Sequence, residues 1–177
     1  MKKIPVVYWP KKGSVELNAQ RVFAQLGEEI SELVPLKDTG PEIFDNNDYL
    51  IFGCSTVGAD NWQDAYAGNP WTALFKQLEK QQADLSGKKI ALFGLGDQII
   101  YPDHFVDQLY TLKNEFVQLG AEVVGKWPSD DYEHTESRAD EDGLFVGLAL
   151  DEHNQEDLSE ERIERWVSDL LSNHFVG

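Results

Sequence analysis

Apolar residues in this chain fall into short continuous runs separated by longer stretches with helical spacing. Ile4 to Trp9 reads as a first strand. Glu16 to Ile30 follows, with Leu17, Val22, Phe23, Leu26 and Ile30 near the helical period. Residues 32 to 36 form a weaker second strand. Tyr49-Leu50-Ile51-Phe52-Gly53 and Lys89-Ile90-Ala91-Leu92-Phe93-Gly94 are unbroken apolar runs, as strands covered on both faces require. Helices are predicted over Trp71 to Gln81 and Phe105 to Leu119, the second ended by Gly120. A fifth strand starts at Glu122 to Trp127, is interrupted by the polar stretch Pro128 to Gly143, and resumes over Leu144 to Leu150. A last helix begins near Ser159, a plausible N-cap, with Glu160 and Glu161 at the positive end of its dipole. Ile163, Trp166, Val167, Leu170 and Leu171 line its inner face.

Strands alternating with helices predict α/β architecture: a doubly wound parallel sheet of five strands with helices on both faces. The 177 residues suit one domain over 1–177. Ligands on such sheets bind beyond the carboxyl ends of the strands, at the switch point. Three loops meet that description: residues 9 to 15, 54 to 70 and 94 to 104.

Charge narrows the choice of partner. Fifteen Lys and Arg stand against 32 Asp and Glu, a net charge of −17. That field repels nucleic acid and anionic membrane surfaces, and it speeds encounter with basic faces. Fourteen of the acidic residues lie between 128 and 164, against two arginines there. The stretch reads either as a solvated face or as a docking surface. The single cysteine, Cys54, excludes an intrachain disulfide and fits a reducing cytoplasm. It is expected to pack at a strand end. The opening apolar run ends at Pro10, too short for a signal peptide or a membrane span. The four histidines, at 104, 134, 153 and 174, lack metal-ligand spacing, and nothing resembles a hydrolytic triad.

The loop Gly94-Leu95-Gly96-Asp97 through Tyr101 and His104 holds the densest candidate chemistry. Its glycines let backbone approach a flat ligand, Asp97 can accept from ring N–H groups, and Tyr101 offers a stacking face. As a bare pattern Gly-x-Gly-Asp is also satisfied by a tight turn.

Gly94 to Phe105 resembles the flavin loop of long-chain flavodoxins. Gly120 to Gly125 leading into Trp127 is similar to that family too, as are Phe145 to Asp151, Asn154-Gln155, Arg162-Ile163 and Trp166. The resemblance implies strand order 2-1-3-4-5, a fifth strand interrupted where the polar stretch lies, and bound FMN. It implies Tyr101 on the outer face of the isoalloxazine and Gly94, Leu95, Gly96 and Asp97 along its pyrimidine edge. Ile100 stands where glycine is common and His104 where asparagine is common. Thr56, Val57 and Gly58 are similar to the segment covering the other ring face. Val57 stands where many members carry tryptophan, and Trp62, Tyr66 or Trp71 are candidates to reach in instead. The Gly58-Ala59 peptide resembles the one that turns toward flavin N5 on one-electron reduction.

The first loop departs from the family. Pro10-Lys11-Lys12-Gly13-Ser14-Val15 replaces a hydroxyl-rich phosphate loop, and only Ser14 keeps a hydroxyl. A helix N-terminus still favours an anion, and Lys11 and Lys12 supply charge the usual loop lacks. The expected function is a low-potential, monomeric electron carrier with non-covalent FMN. It would exchange electrons with a basic-faced reductase donor and a basic-faced acceptor, with no nucleic acid and no membrane insertion. Two alternatives share the fold: a module that has lost FMN and acts in binding or regulation, and a small quinone or nitro reductase.

Overall fold

The computed structural model describes residues 2–56 and 69–176. Its centre is β1, Ile4–Tyr8, buried at every position. β2 (Ser31–Pro35) pairs parallel on one side of β1 and β3 (Tyr49–Ser55) on the other. β4 (Lys89–Leu95) follows on β3 through seven register pairs, Tyr49↔Lys89 to Ser55↔Leu95. The unbroken apolar runs are therefore interior strands, half-buried only at their ends.

The fifth position is shared. β5 (Glu122–Val124) pairs with Lys89 to Ala91. Gly125, at φ 79, then turns the chain out of the sheet, and its carbonyl accepts from the buried Trp166 indole at 2.8 Å. Between them lie β6 (Trp127–Pro128), β7 (Asp140–Glu141) and β8 (Leu144–Phe145), a separate antiparallel sheet in the order β6-β8-β7. The chain returns as β9 (Leu148–Leu150), parallel to Phe93 to Leu95 of β4. Gly147 makes the return possible, since a Cβ there would lie 2.3 Å from the Leu92 carbonyl oxygen. The main sheet thus follows the expected order, β2-β1-β3-β4-β5, with β9 also on β4. The break is wider than the polar stretch suggests, because Trp127, Leu144 and Phe145 belong to the small sheet.

α1 (Gly13–Leu26) and α4 (Ser159–Asp169) pack together, and Trp166 of α4 meets Phe93 edge-on. On the other side, α2 (Pro70–Lys80) and α3 (Gln108–Gln118) close over Phe52 through Trp71, Phe75 and Phe116. Three helix boundaries differ from expectation. α1 begins at Gly13 and stops at Leu26, because Gly27 at φ 89 reverses the chain and its carbonyl accepts from Ser31 N at 3.1 Å. α3 starts only at Gln108, because Val106 takes φ 50 and ends a run of turns. Ser159 is not an N-cap. A 3-10 turn over Glu156–Leu158 feeds straight into α4, so Ser159 is already helical and its buried hydroxyl has no hydrogen-bond partner among the described residues.

Candidate functional site

The loops that follow β1, β3 and β4 leave one edge of the sheet, with Tyr8 registered to Gly53 and Cys54 to Gly94. β1 delivers the first loop. Lys12 and Gly13 adopt left-handed φ of 70 and 72, which turns the chain into the start of α1. No side chain at the cap position closes that helix. Its first N–H groups, Gly13 to Val15, are those an anion would meet.

Two carboxylates shape the lysines' surroundings. Glu16 accepts from Lys12 N at 2.7 Å and from the Tyr8 hydroxyl at 2.8 Å. The tyrosine bond and then the backbone bond hold the Glu16 carboxyl below its ordinary range. Burial, and then Glu16, push the Tyr8 hydroxyl up to about 12. Lys11 is paired with Asp38 at 3.3 Å. The exposed Lys12 ammonium is in no ion pair among the described residues. Of the two predicted cations, Lys12 is therefore the one better placed for a new counter-charge.

The third loop is fixed by its own polar side chains. Asp97 Oδ1 accepts from Ile99 N at 3.0 Å, Ile100 N at 2.9 Å and Asn154 Nδ2 at 2.9 Å. Burial works to raise the Asp97 carboxyl, but these three donors together hold it below the usual carboxylate range. Gln98 is only 2% exposed. Its backbone N and its Nε2 both donate to Asp151 Oδ2, at 3.0 and 2.8 Å. Asp151 also accepts from His153 N, Asn154 N and Asn154 Nδ2. The outcome is a rigid turn that presents Ile99, Ile100 and Tyr101 outward, Tyr101 with 46% of its surface exposed. Leu95 is buried behind it.

The two glycines of this loop are required by the protein's own packing. A Cβ on Gly94 would lie 2.9 Å from Leu109, and one on Gly96 would lie 2.8 Å from Phe105 and 2.9 Å from Thr56 Oγ1. Thr56 in turn donates to Leu95 O at 2.9 Å, and its carbonyl accepts from Gln108 N at 3.1 Å. His104 is exposed and its Nδ1 lies 3.1 Å from Asp107 Oδ2.

At the carboxyl ends of the strands, Lys11 and Lys12 lie in the loop after β1 and Gly13 and Ser14 open α1, Thr56 follows β3, Gly94 and Leu95 end β4, and Gly96, Asp97, Tyr101 and His104 follow it. Val57, Gly58, Ala59, Trp62 and Tyr66 lie outside the described residues. Trp71 does not reach toward the site: it is buried against Phe52. Cys54 is fully buried, and burial pushes its thiol up, consistent with packing at the strand end. Among the described residues no cluster of His, Cys, Asp or Glu is arranged to hold a metal, and no helix is long and apolar enough to cross a membrane.

The side chains that brace these loops carry little signal of their own in the sequence. Asp151 and Asn154 stand out in the sequence only as part of a family-like ending, and Gln98 only as a loop residue. Glu16 and Tyr8 carry no signal of their pairing beyond the register of the first loop.

The family model for flavodoxin matches residues 6–166. A flavodoxin of Picosynechococcus sp. is 40% identical over 171 residues, 96% of this chain and 96% of that protein. Flavodoxin 1 of Azotobacter vinelandii is 37% identical, covering 99% of each. Among solved structures, a Fusobacterium nucleatum flavodoxin bound to flavin mononucleotide superposes with TM-score 0.82 at 29% identity, covering 97% of this chain and 98% of that one. A lysine-to-glycine variant of that protein, also bound to flavin mononucleotide, gives TM-score 0.81 at 30% identity over 95% and 94% of the two chains.

Proposed function

The chain belongs to the flavodoxin family, and from that premise we propose that it binds FMN non-covalently and carries electrons one at a time between redox proteins. The observation that carries this reading is the braced turn at 97–101. Asp97 and Gln98 are buried and tied to Asp151 and Asn154, while Tyr101 is left open beside them. A loop held this firmly with an exposed aromatic ring is suited to a flat ligand without rearranging.

The residues fit the group at both of its ends. Tyr101 provides the stacking face, and Gly94 to Asp97 provide backbone for the polar edge of the ring. Thr56 and His104 complete the wall, with Val57 and Gly58 expected on the opposite face. The phosphate falls to the N–H groups at the start of α1, the Ser14 hydroxyl and the Lys12 ammonium, with Lys11 shared with Asp38. Glu16 takes one backbone donor from this nest and adds a negative charge, so Lys12 is needed to balance it.

FMN supplies the reversible uptake of electrons when bound. The chain's part is to orient the ring, to shield it from water on its braced side and to set the surrounding charge. A net charge of −17 disfavours adding negative charge to the ring and so makes the carrier low in potential. The acidic stretch 128–164 serves as the docking face for a basic reductase and a basic acceptor. A monomer in a reducing cytoplasm fits the single buried cysteine.

A fluorescence titration tests the reading. FMN emission should be quenched at one equivalent of protein, and riboflavin should bind less tightly because it lacks the phosphate. FMN that stays fully emissive in excess protein would favour the module that has lost its cofactor. Glu16 drawn onto Lys12 N is the observation on that side.

A further inference from the structure

We propose that His134 is a positioning residue for the flavin-ring loop: its neutral imidazole, packed in an aromatic box, holds the strip 133–138 against residues 98–107, so ring binding weakens when the imidazole is protonated. The inference rests on the flavin reading above.

The strip grips the loop at five places. Glu133 N donates to Gln98 Oε1 at 2.5 Å. Thr135 N and Glu136 N donate to Pro102 O at 2.8 and 2.9 Å. Ser137 Oγ donates to Phe105 O at 2.6 Å, and Arg138 N to Asp107 Oδ1 at 2.8 Å. Tyr101 lies between the Gln98 and Pro102 contacts. His134 sits in the strip between the same two contacts, and its side chain is only 10% exposed.

Its ring centroid lies 5.2 Å from Phe145, 5.6 Å from Phe105 and 6.5 Å from Tyr132. Phe105 and Phe145 are fully buried. His134 Nδ1 is buried with no hydrogen-bond partner among the described residues. A neutral imidazole can present that nitrogen as its unprotonated one and lose little. An imidazolium must bring a second N–H and a charge into the same place.

The charged groups around it do little to help. Asp140 on β7 faces it, with Oδ2 3.8 Å from Nε2. Tyr132 is the other titratable ring in the box, and burial pushes its hydroxyl up, so it stays neutral. Arg162 lies over Tyr132, 4.3 Å from the ring centroid, and adds positive charge. His104 and Asp107, flanking Phe105, are paired with each other. Glu133 and Glu136 flank His134 in the strip and are exposed. Burial lowers the affinity of His134 for a proton, and Asp140 only partly opposes it. Because the value in the closed arrangement is lowered, the closed form is favoured above the ordinary histidine range and loses ground as pH falls through it. The strip then releases Gln98 and Pro102, the two ends of the ring loop.

Riboflavin is the probe, because it lacks the phosphate whose own second ionisation falls near pH 6. The dissociation constant of the wild type should rise on the order of tenfold between about pH 7.5 and about pH 5. His134→Phe should bring the ratio of the two constants to about one, since phenylalanine fills the box without titrating. A wild type with no pH dependence, or a His134→Phe variant that weakens in parallel with it, would overturn the proposal. A second measurement needs no variant: the NMR titration midpoint of the His134 ring should move to lower pH when riboflavin is added, and an unmoved midpoint overturns it. If neither riboflavin nor FMN binds the wild type at about pH 7.5, the flavin reading fails first, and that result is distinct from binding without pH dependence.

Discussion

At the scale of single residues, the first loop carries the sharpest question, because Lys11 and Lys12 have different surroundings. Lys11 is held by Asp38 at 3.3 Å, whereas Lys12 stands at the left-handed entry to α1 with its ammonium exposed. Lys12→Ala should therefore weaken FMN roughly tenfold, about 1.4 kcal/mol, while leaving riboflavin unaffected. The difference should shrink in high salt. Lys11→Ala should do less. Equal losses for FMN and riboflavin in the Lys12 variant, measured by fluorescence titration, would show that the lysine holds the loop rather than the phosphate. The sequence shows both lysines and the missing hydroxyls. It cannot show which lysine is tied to Asp38 or that Glu16 folds back onto Lys12 N, because those pairings join residues that only the fold brings together.

At the scale of elements, the strands were legible and their ends were not. β3 and β4 are continuous apolar runs because both faces are covered, and that pattern is visible in any window of the sequence. The boundaries of α1 and α3 depend on left-handed residues, Gly27 and Val106; the glycine is a readable signal and the valine is not. The interrupted strand was legible as an interruption. Its true limits were hidden because Trp127, Leu144 and Phe145 are as apolar as strand residues of the main sheet while serving the small one. The hinge of that interruption is Gly147, which has no room for a side chain against Leu92 O. Gly147→Ala should lower stability by about 3 kcal/mol, read from the midpoint of chemical denaturation at unchanged slope. A change of under about 0.5 kcal/mol would mean that β9 can leave β4 without consequence.

The ring loop belongs to the same scale. Its glycines invited a ligand-approach reading, yet Leu109, Phe105 and Thr56 crowd them within the protein. The loop's stiffness comes from Glu133, Asp151 and Asn154, which lie far downstream of it in the chain. Long-range side-chain bonds of this kind leave no periodic trace. Tyr101 is an exposed ring because an aromatic residue in a Gly- and Pro-bounded loop has little of its own core to join.

For the whole molecule, charge is the dominant property. A net charge of −17 makes association with a basic partner fast at low ionic strength. With a basic haem protein as acceptor, the second-order rate of electron transfer from the reduced FMN complex should fall by on the order of tenfold or more as salt is raised from low to physiological strength. Stopped-flow spectroscopy reads this directly, and a rate indifferent to salt would remove the acidic face from the docking step.

In the proposed function, this chain uses bound FMN to move electrons singly. The most direct test is a reductive titration of the purified FMN complex under anaerobic conditions, followed by absorption. Two resolved one-electron steps are expected, the second at a more negative potential than free FMN shows, because the ring is reduced inside an acidic protein. A single two-electron step at the potential of free FMN would contradict this function.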